Sequence, residues 1–189
     1  MTRHDDTSYG PNPLILKYLD LFPSSENKLP ILDLACGDGH NGIYLASKGW
    51  SVILADRSEE TLAKAKEQAL KNHMTAKFWQ VDFEEPGFNQ LEENTLGGVL
   101  IFRYLFRPLI PAIKKAIVKG GFLFYETFTW DHLQFHPTFN PEFLLKTGEL
   151  PKWFPDWEIL HSFEGILENP DRAVAQLVCR KPDQKKVHG

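Results

Sequence analysis

The chain has 189 residues, enough for one sizeable core and too few for two. Its 42% hydrophobic and 13% aromatic content is that of a folded domain, and a net charge of -4 with no dense Lys/Arg cluster argues against a nucleic-acid partner. No apolar run approaches membrane-spanning length, and the first residues lack a signal core. Cys36 and Cys179 fit neither a disulfide framework nor a CxxC site. The expectation is a cytoplasmic protein with reduced thiols, no membrane partner and no metal centre.

Residues 1–13 are polar and broken by Gly10, Pro11 and Pro13, which predicts a mobile arm with Tyr9 as its one aromatic. Leu14, Tyr18, Leu21 and Phe22 recur at helical spacing and predict a helix over 14–22. The apolar run Ile31 to Ala35 then reads as a strand, Cys36-Gly37-Asp38-Gly39 as a tight turn, and His40 to Ala46 as a helix. The amides at that helix start face the crevice above the strand. Taken literally, Gly37, Gly39 and Gly42 satisfy the GxGxxG dinucleotide pattern.

The acids point elsewhere. Asp33 lies inside the strand and Asp38 in the turn, where carboxylates would repel a pyrophosphate. They suit a ligand whose near end is cationic, such as S-adenosylmethionine, with its ammonium and sulfonium and no phosphate. The alternative for Asp33 is capping of local backbone amides. A second strand over 51–56 ends in Asp56, near the spacing of an acid that takes ribose hydroxyls, and Ser58 reads as the cap of a helix to about Asn72.

A third strand over 76–83 carries Asp82 and Phe83 at its end, the acid also being a turn former and the ring a possible stacking surface. Leu96 to Phe102 is a fourth strand running into Arg103 and Tyr104, which border the crevice. A helix over 108–119 stops at Gly120-Gly121 and feeds a fifth strand, 122–128, in which Glu126 is either a base or orienting carboxylate or an acceptor for a loop. Residues 129–156 hold a run of aromatics and predict a cap over the pocket, with His136 pointing inward. His132 and His136 are spaced like metal ligands, but Pro137 ends any helix there and no third ligand is adjacent. The runs 157–163 and 173–180, joined through Asn169 and Pro170, predict a terminal antiparallel hairpin.

The stretch from Asp33 to Gly39, with these ordered acids, resembles the first motif of class I S-adenosylmethionine-dependent methyltransferases. Its continuation to Ala46 is similar to the version in tellurite-resistance-type methyltransferases and their uncharacterised relatives. The resemblance implies a single domain over 1–189 with a doubly wound, mostly parallel seven-stranded α/β sheet, a Rossmann-like methyltransferase fold closed by the antiparallel hairpin. It implies S-adenosylmethionine as cofactor, contacted by Asp33, Ala35, Cys36, Gly37, Asp38, Gly39 and Asn41, by Asp56 and Arg57, by Asp82 and Phe83, and by Arg103.

Tyr9, Tyr104, Arg107, Glu126 and His136 are the candidates for the acceptor side, Arg103 or Arg107 as anchors of an anionic group. The Asn/Asp-Pro-Pro-Tyr/Phe run that base-modifying members carry after the fourth strand is missing, which counts against base methylation, and the acidic balance and aromatic cap favour a small-molecule methyl acceptor. Two other readings remain open in the sequence: a domain of this type that binds S-adenosylmethionine or S-adenosylhomocysteine without turnover, and an NAD-dependent oxidoreductase.

Overall fold

The computed structural model of the chain describes residues 10–22 and 29–183. Seven strands form one sheet in the order β3-β2-β1-β4-β5-β7-β6. The first five, β1 (Ile31–Leu34), β2 (Val52–Asp56), β3 (Lys77–Gln80), β4 (Leu96–Phe102) and β5 (Ile117–Phe128), pair in parallel. The hairpin β6 (Glu158–Leu167) and β7 (Arg172–Arg180) is antiparallel, with β7 inserted beside β5. This is the doubly wound sheet with its closing hairpin that the sequence predicts.

Helices cover both faces, which is why β1 and β4 read as nearly unbroken apolar runs. On one face α1 (Pro13–Lys17), α2 (His40–Ser47) and α3 (Glu59–Lys71) enclose Ile31, Leu54, Leu100, Phe122 and Phe124. Helix α3 starts where Ser58 Oγ accepts the Thr61 amide at 3.2 Å, and it lays Leu62, Ala65 and Ala69 against the sheet. On the other face α4 (Ile110–Ala116) and the short α5 (Glu149–Lys152) pack over Leu32, Val99, Leu123, Tyr125 and Leu177.

The helix expected over 14–22 stops at Lys17, the third strand stops at Gln80 rather than 83, and the boundary before β5 also differs from expectation. The helix after β4 ends at Ala116, and the strand already begins at Ile117. Gly120 and Gly121 therefore lie inside β5, where the register against β4 shifts. Gly120 takes φ +74°, and a Cβ on Gly121 would lie 2.8 Å from the Gly97 carbonyl. The glycines serve a bulge in tight contact with β4 rather than a helix stop.

Residues 129–156 form a layer on the α4 face. Leu144, Leu145, Leu150 and Phe154 are fully buried there and join the core with Trp157. Arg107 ties the layer down. Its Nε and Nη2 donate to the two Glu149 oxygens at 2.6 and 2.9 Å, and Nη1 and Nη2 reach the carbonyls of Glu142 and Leu144 at 3.0 Å. This bidentate pair is partly exposed, so Arg107→Ala is expected to cost only about 1 kcal/mol. Limited proteolysis within 140–149 should accelerate while cofactor affinity holds; a lost affinity with no change in proteolysis would contradict this role.

Candidate functional site

At the carboxyl ends of the parallel strands the turn after β1 separates two hollows. The first, about 320 Å³, is bounded by Asp33, Ala35 and Asn41 from the β1–α2 unit, by Arg103 after β4, and by Arg172 at the start of β7. The second, about 300 Å³, lies at the ends of β2 and β3 among Arg57, Gln80, Asp82 and Glu85. The position is where open α/β sheets receive ligands.

The turn needs a left-handed backbone, and a Cβ on Gly39 would also press on Ala65 Cβ at 3.0 Å. Gly37 and Gly39 take φ +58° and +79°, values L side chains rarely adopt, and Ala35 enters the turn at +53°. Gly39 is the N-cap of α2. Asp33 faces that helix from within β1, and its Oδ2 accepts the Gly42 amide at 2.8 Å. The Asp33 side chain thus both caps a helix amide and borders the first hollow. It is 2% exposed, and burial pushes its pKa up to about 7, against a smaller lowering by the Gly42 amide.

Asp38 turns outward to His40, with Oδ1 2.9 Å from Nδ1, and this hydrogen bond holds its carboxyl below the usual range. The Cys36 thiol is buried and its pKa is pushed up, chiefly by burial and then by Asp33 and Asp56, so it stays a protonated, unreactive group.

Asp56 ends β2 with each oxygen on one amide, Oδ2 on Gly37 and Oδ1 on Ser58 at 2.8 and 2.9 Å. It therefore pins the β1 turn to the start of α3, and each oxygen retains acceptor capacity. Arg57 and Asp82 face the second hollow, where Asp82 Oδ1 also accepts the Glu84 amide. Phe83 does not face it. Its ring is 3% exposed and packs edge-on to Trp79 and Phe88, so its apolar surface belongs to the core. Burial first, then the Glu84 carboxylate, raises the pKa of the Tyr104 hydroxyl, which puts that hydroxyl near Glu84 and Asp82.

On the acceptor side the expected residues separate. Glu126 is 2% exposed, with one donor on each oxygen: Oε1 accepts from Asn12 Nδ2 at 3.0 Å and Oε2 from Gln176 Nε2 at 2.5 Å. Gln176 Oε1 then accepts from His161 Nε2 at 3.0 Å, which leaves His161 Nδ1 to accept from the Tyr18 hydroxyl at 3.0 Å. The Asn12 amide donates to Asn41 Oδ1 at 2.8 Å. Glu126 is thus the anchor that clamps residues 10–13 and α1 over the first hollow, in keeping with its reading as an acceptor for a loop.

Arg103, at φ +57°, is held by its amide on the Glu126 carbonyl at 2.8 Å and borders the same hollow. Arg107 is occupied by Glu149 and lies elsewhere. His136 is exposed; it is His132, one turn back, that is buried, stacked on Phe128 at 4.1 Å. Tyr9 lies outside the described residues. Arg172, Asn12 and Gln176 escaped the sequence reading, because only the long-range pairing of β7 with β5 and the return of the N-terminal segment bring them here. Among the described residues, no three His, Cys, Asp or Glu side chains gather as a metal site would need, and no helix is long and apolar enough to cross a membrane.

A carboxylate where a dinucleotide site places phosphate, an acid at the end of β2 and a sheet closed by β7 define the class, the class I methyltransferase fold. A family model described as a methyltransferase domain matches residues 31–119. The chain is 26% identical over 143 residues to the protein named "Probable S-adenosyl-L-methionine-dependent methyltransferase TehB" of Haemophilus influenzae, covering 73% of this chain and 49% of that one. It is 29% identical over 119 residues to the "Ubiquinone biosynthesis O-methyltransferase" of Hydrogenovibrio crunogenus, covering 61% and 49%. The crystal structure of TehB from Haemophilus influenzae superposes with a TM-score of 0.73 at 21% identity, covering 90% of this chain and 62% of that one. The chain is similar to these methyltransferases in sequence and in fold, and it spans about half the length of the curated relatives it matches.

Proposed function

We propose that the chain transfers a methyl group from S-adenosylmethionine to a small-molecule acceptor. The observation that carries this reading is the buried Asp33 carboxylate at the first hollow, at the end of the strand that leads into the left-handed glycine turn. When bound, the cofactor supplies a methyl group on a sulfonium, a good leaving group. Asp33 holds the cationic amino-acid end. Asp56 accepts ribose hydroxyls with its remaining lone pairs. Arg57 and Asp82 flank the heterocycle in the second hollow.

The Asn12–Glu126 clamp holds residues 10–13 along the first hollow, so that orientation of the bound groups does much of the work. Neither Cys36, which stays protonated, nor Glu126, which is buried and does not line the hollow, is placed to remove a proton. An acceptor that attacks without losing a proton, such as a thiolate or another anion, fits these walls.

The test is incubation with methyl-labelled S-adenosylmethionine and a panel of low-mass nucleophiles. Label should enter the low-mass fraction. Label found only in RNA or protein would overturn the small-molecule reading.

A further inference from the structure

Resting on that reading, we infer that Asn41 Nδ2 is the donor that takes the carboxylate of the cofactor's amino-acid end, and that Asn12 is the positioning residue that aims it. Asn41 is the second residue of α2, is 3% exposed, and borders the first hollow together with Asp33 and Asn12. The direction of its amide follows from its neighbour. A backbone N–H can only donate, so the Asn41 atom 2.8 Å from the Asn12 amide is Oδ1. Nδ2 is thereby turned away from Asn12, and it has no hydrogen-bond partner among the described residues. A buried amide donor left unmet is costly, and the hollow is where a partner can enter.

Asn12 is itself held in one orientation. Its Nδ2 donates to Glu126 Oε1 at 3.0 Å, and its Oδ1 accepts the Leu14 amide at 2.8 Å. A carboxylate only accepts and a backbone amide only donates, so the two ends of the Asn12 side chain cannot be exchanged. Pro11 and Pro13 on either side carry no N–H, which leaves the Asn12 amide as the donor between them. The bonds from Glu126 through Asn12 to Asn41 therefore run with one polarity, and they end on an unspent donor at the hollow.

The chemistry of the ligand decides what that donor meets. The amino-acid end carries its ammonium and its carboxylate on one carbon, so their partners must be neighbours. Asp33 takes the ammonium in the proposed function, and its Oδ2 already holds the amide of Gly42, the residue after Asn41. An amide N–H cannot serve an ammonium, whereas a carboxylate has several lone pairs to receive it. Asp33 and Asn41 thus form a complementary pair, acceptor beside donor, that fixes which way round the amino-acid end lies.

The experiment is calorimetric titration at pH 8 with S-adenosylhomocysteine and with decarboxylated S-adenosylhomocysteine, which keeps the amine and lacks the carboxylate. Wild-type protein should prefer the first by at least tenfold. Asn41→Asp keeps an oxygen for the Asn12 amide and turns the donor into a carboxylate oxygen. It should weaken S-adenosylhomocysteine at least tenfold and the decarboxylated compound by no more than twofold, so that the preference disappears. Asn12→Ala keeps the backbone amide but releases it from Glu126, and it should reduce the preference at least threefold. A purely structural role would weaken both ligands alike.

The inference is overturned if wild-type protein binds both compounds equally, or if Asn41→Asp retains the wild-type preference. A wild-type preference in Asn12→Ala overturns the positioning role of Asn12. If wild-type protein binds neither compound, the proposed function itself fails, which is a different result from binding without preference.

Discussion

Asp33→Asn is expected to stabilise the protein at pH 8 and to weaken S-adenosylmethionine binding about 10–100-fold, the worth of one charge-assisted contact of roughly 1.5–3 kcal/mol. Asparagine keeps an oxygen for the Gly42 amide and removes the buried charge. The folded pKa of Asp33 is about 7 against an ordinary 3.8, so between those values the folded state holds a proton that the unfolded state has lost. Stability from this group is greatest below pH 4, falls as pH rises, and is lost in full above pH 7.

The cost of ionising a fully buried carboxylate is of order a few kcal/mol, and relieving it should raise the melting temperature by roughly 5–10 °C at pH 8. The gain should shrink by pH 5 and vanish near pH 4. Affinity runs the other way: a cationic ligand binds the ionised form, so wild-type affinity should fall by up to about tenfold per pH unit below pH 7, with Asp33→Asn flat. Thermal melts and calorimetry across pH 5–8 check both. A variant that loses stability at pH 8, or a wild-type affinity independent of pH, would remove Asp33 from this role.

Gly42→Ala is expected to destabilise, although alanine usually improves a helix by up to about 1 kcal/mol. A Cβ there would sit 2.5 Å from Leu54 Cδ2, 3.0 Å from Val52 Cγ1 and 3.0 Å from Asp33 Oδ2. Leu54 is fully buried, so the clash cannot be relieved into solvent. Overpacking of about 1–3 kcal/mol exceeds the propensity gain and should lower the melting temperature by roughly 3–10 °C. Moving α2 off the sheet also displaces the Asp33 carboxylate, so cofactor affinity should fall with it. A melting temperature that rises would show that α2 tolerates the methyl group and that glycine is there for another reason.

The parts of the site legible in the sequence are those that neighbouring residues determine. Asp33, Gly37, Gly39, Asp56 and Asp82 each stand in a strand, at its end or in a turn marked by local pattern; Asp33 and Asp82 line the two hollows, and Asp56 holds the Gly37 amide of the turn. What stayed hidden depends on distant pairing. Whether Phe83 meets a ligand or Trp79 and Phe88 depends on the loop after β3, and periodicity carries no information on that. Gly120-Gly121 follows a helical pattern and looks like its end, yet Ile117 pairs with Leu96 first.

Arg107 and Arg103 are equivalent candidates until Glu149 claims the first. Arg172 sits more than 60 residues along the chain from Arg103, and only β7, inserted beside β5, brings it to the same hollow.

The central claim is that the β1 turn receives S-adenosylmethionine rather than a dinucleotide, and parallel calorimetric titrations with S-adenosylmethionine, S-adenosylhomocysteine and NAD test it most directly. Micromolar binding of the first two, with none for NAD, is the predicted result. Binding of NAD alone would contradict it, since Asp33 would then be no more than a helix cap beside a phosphate site.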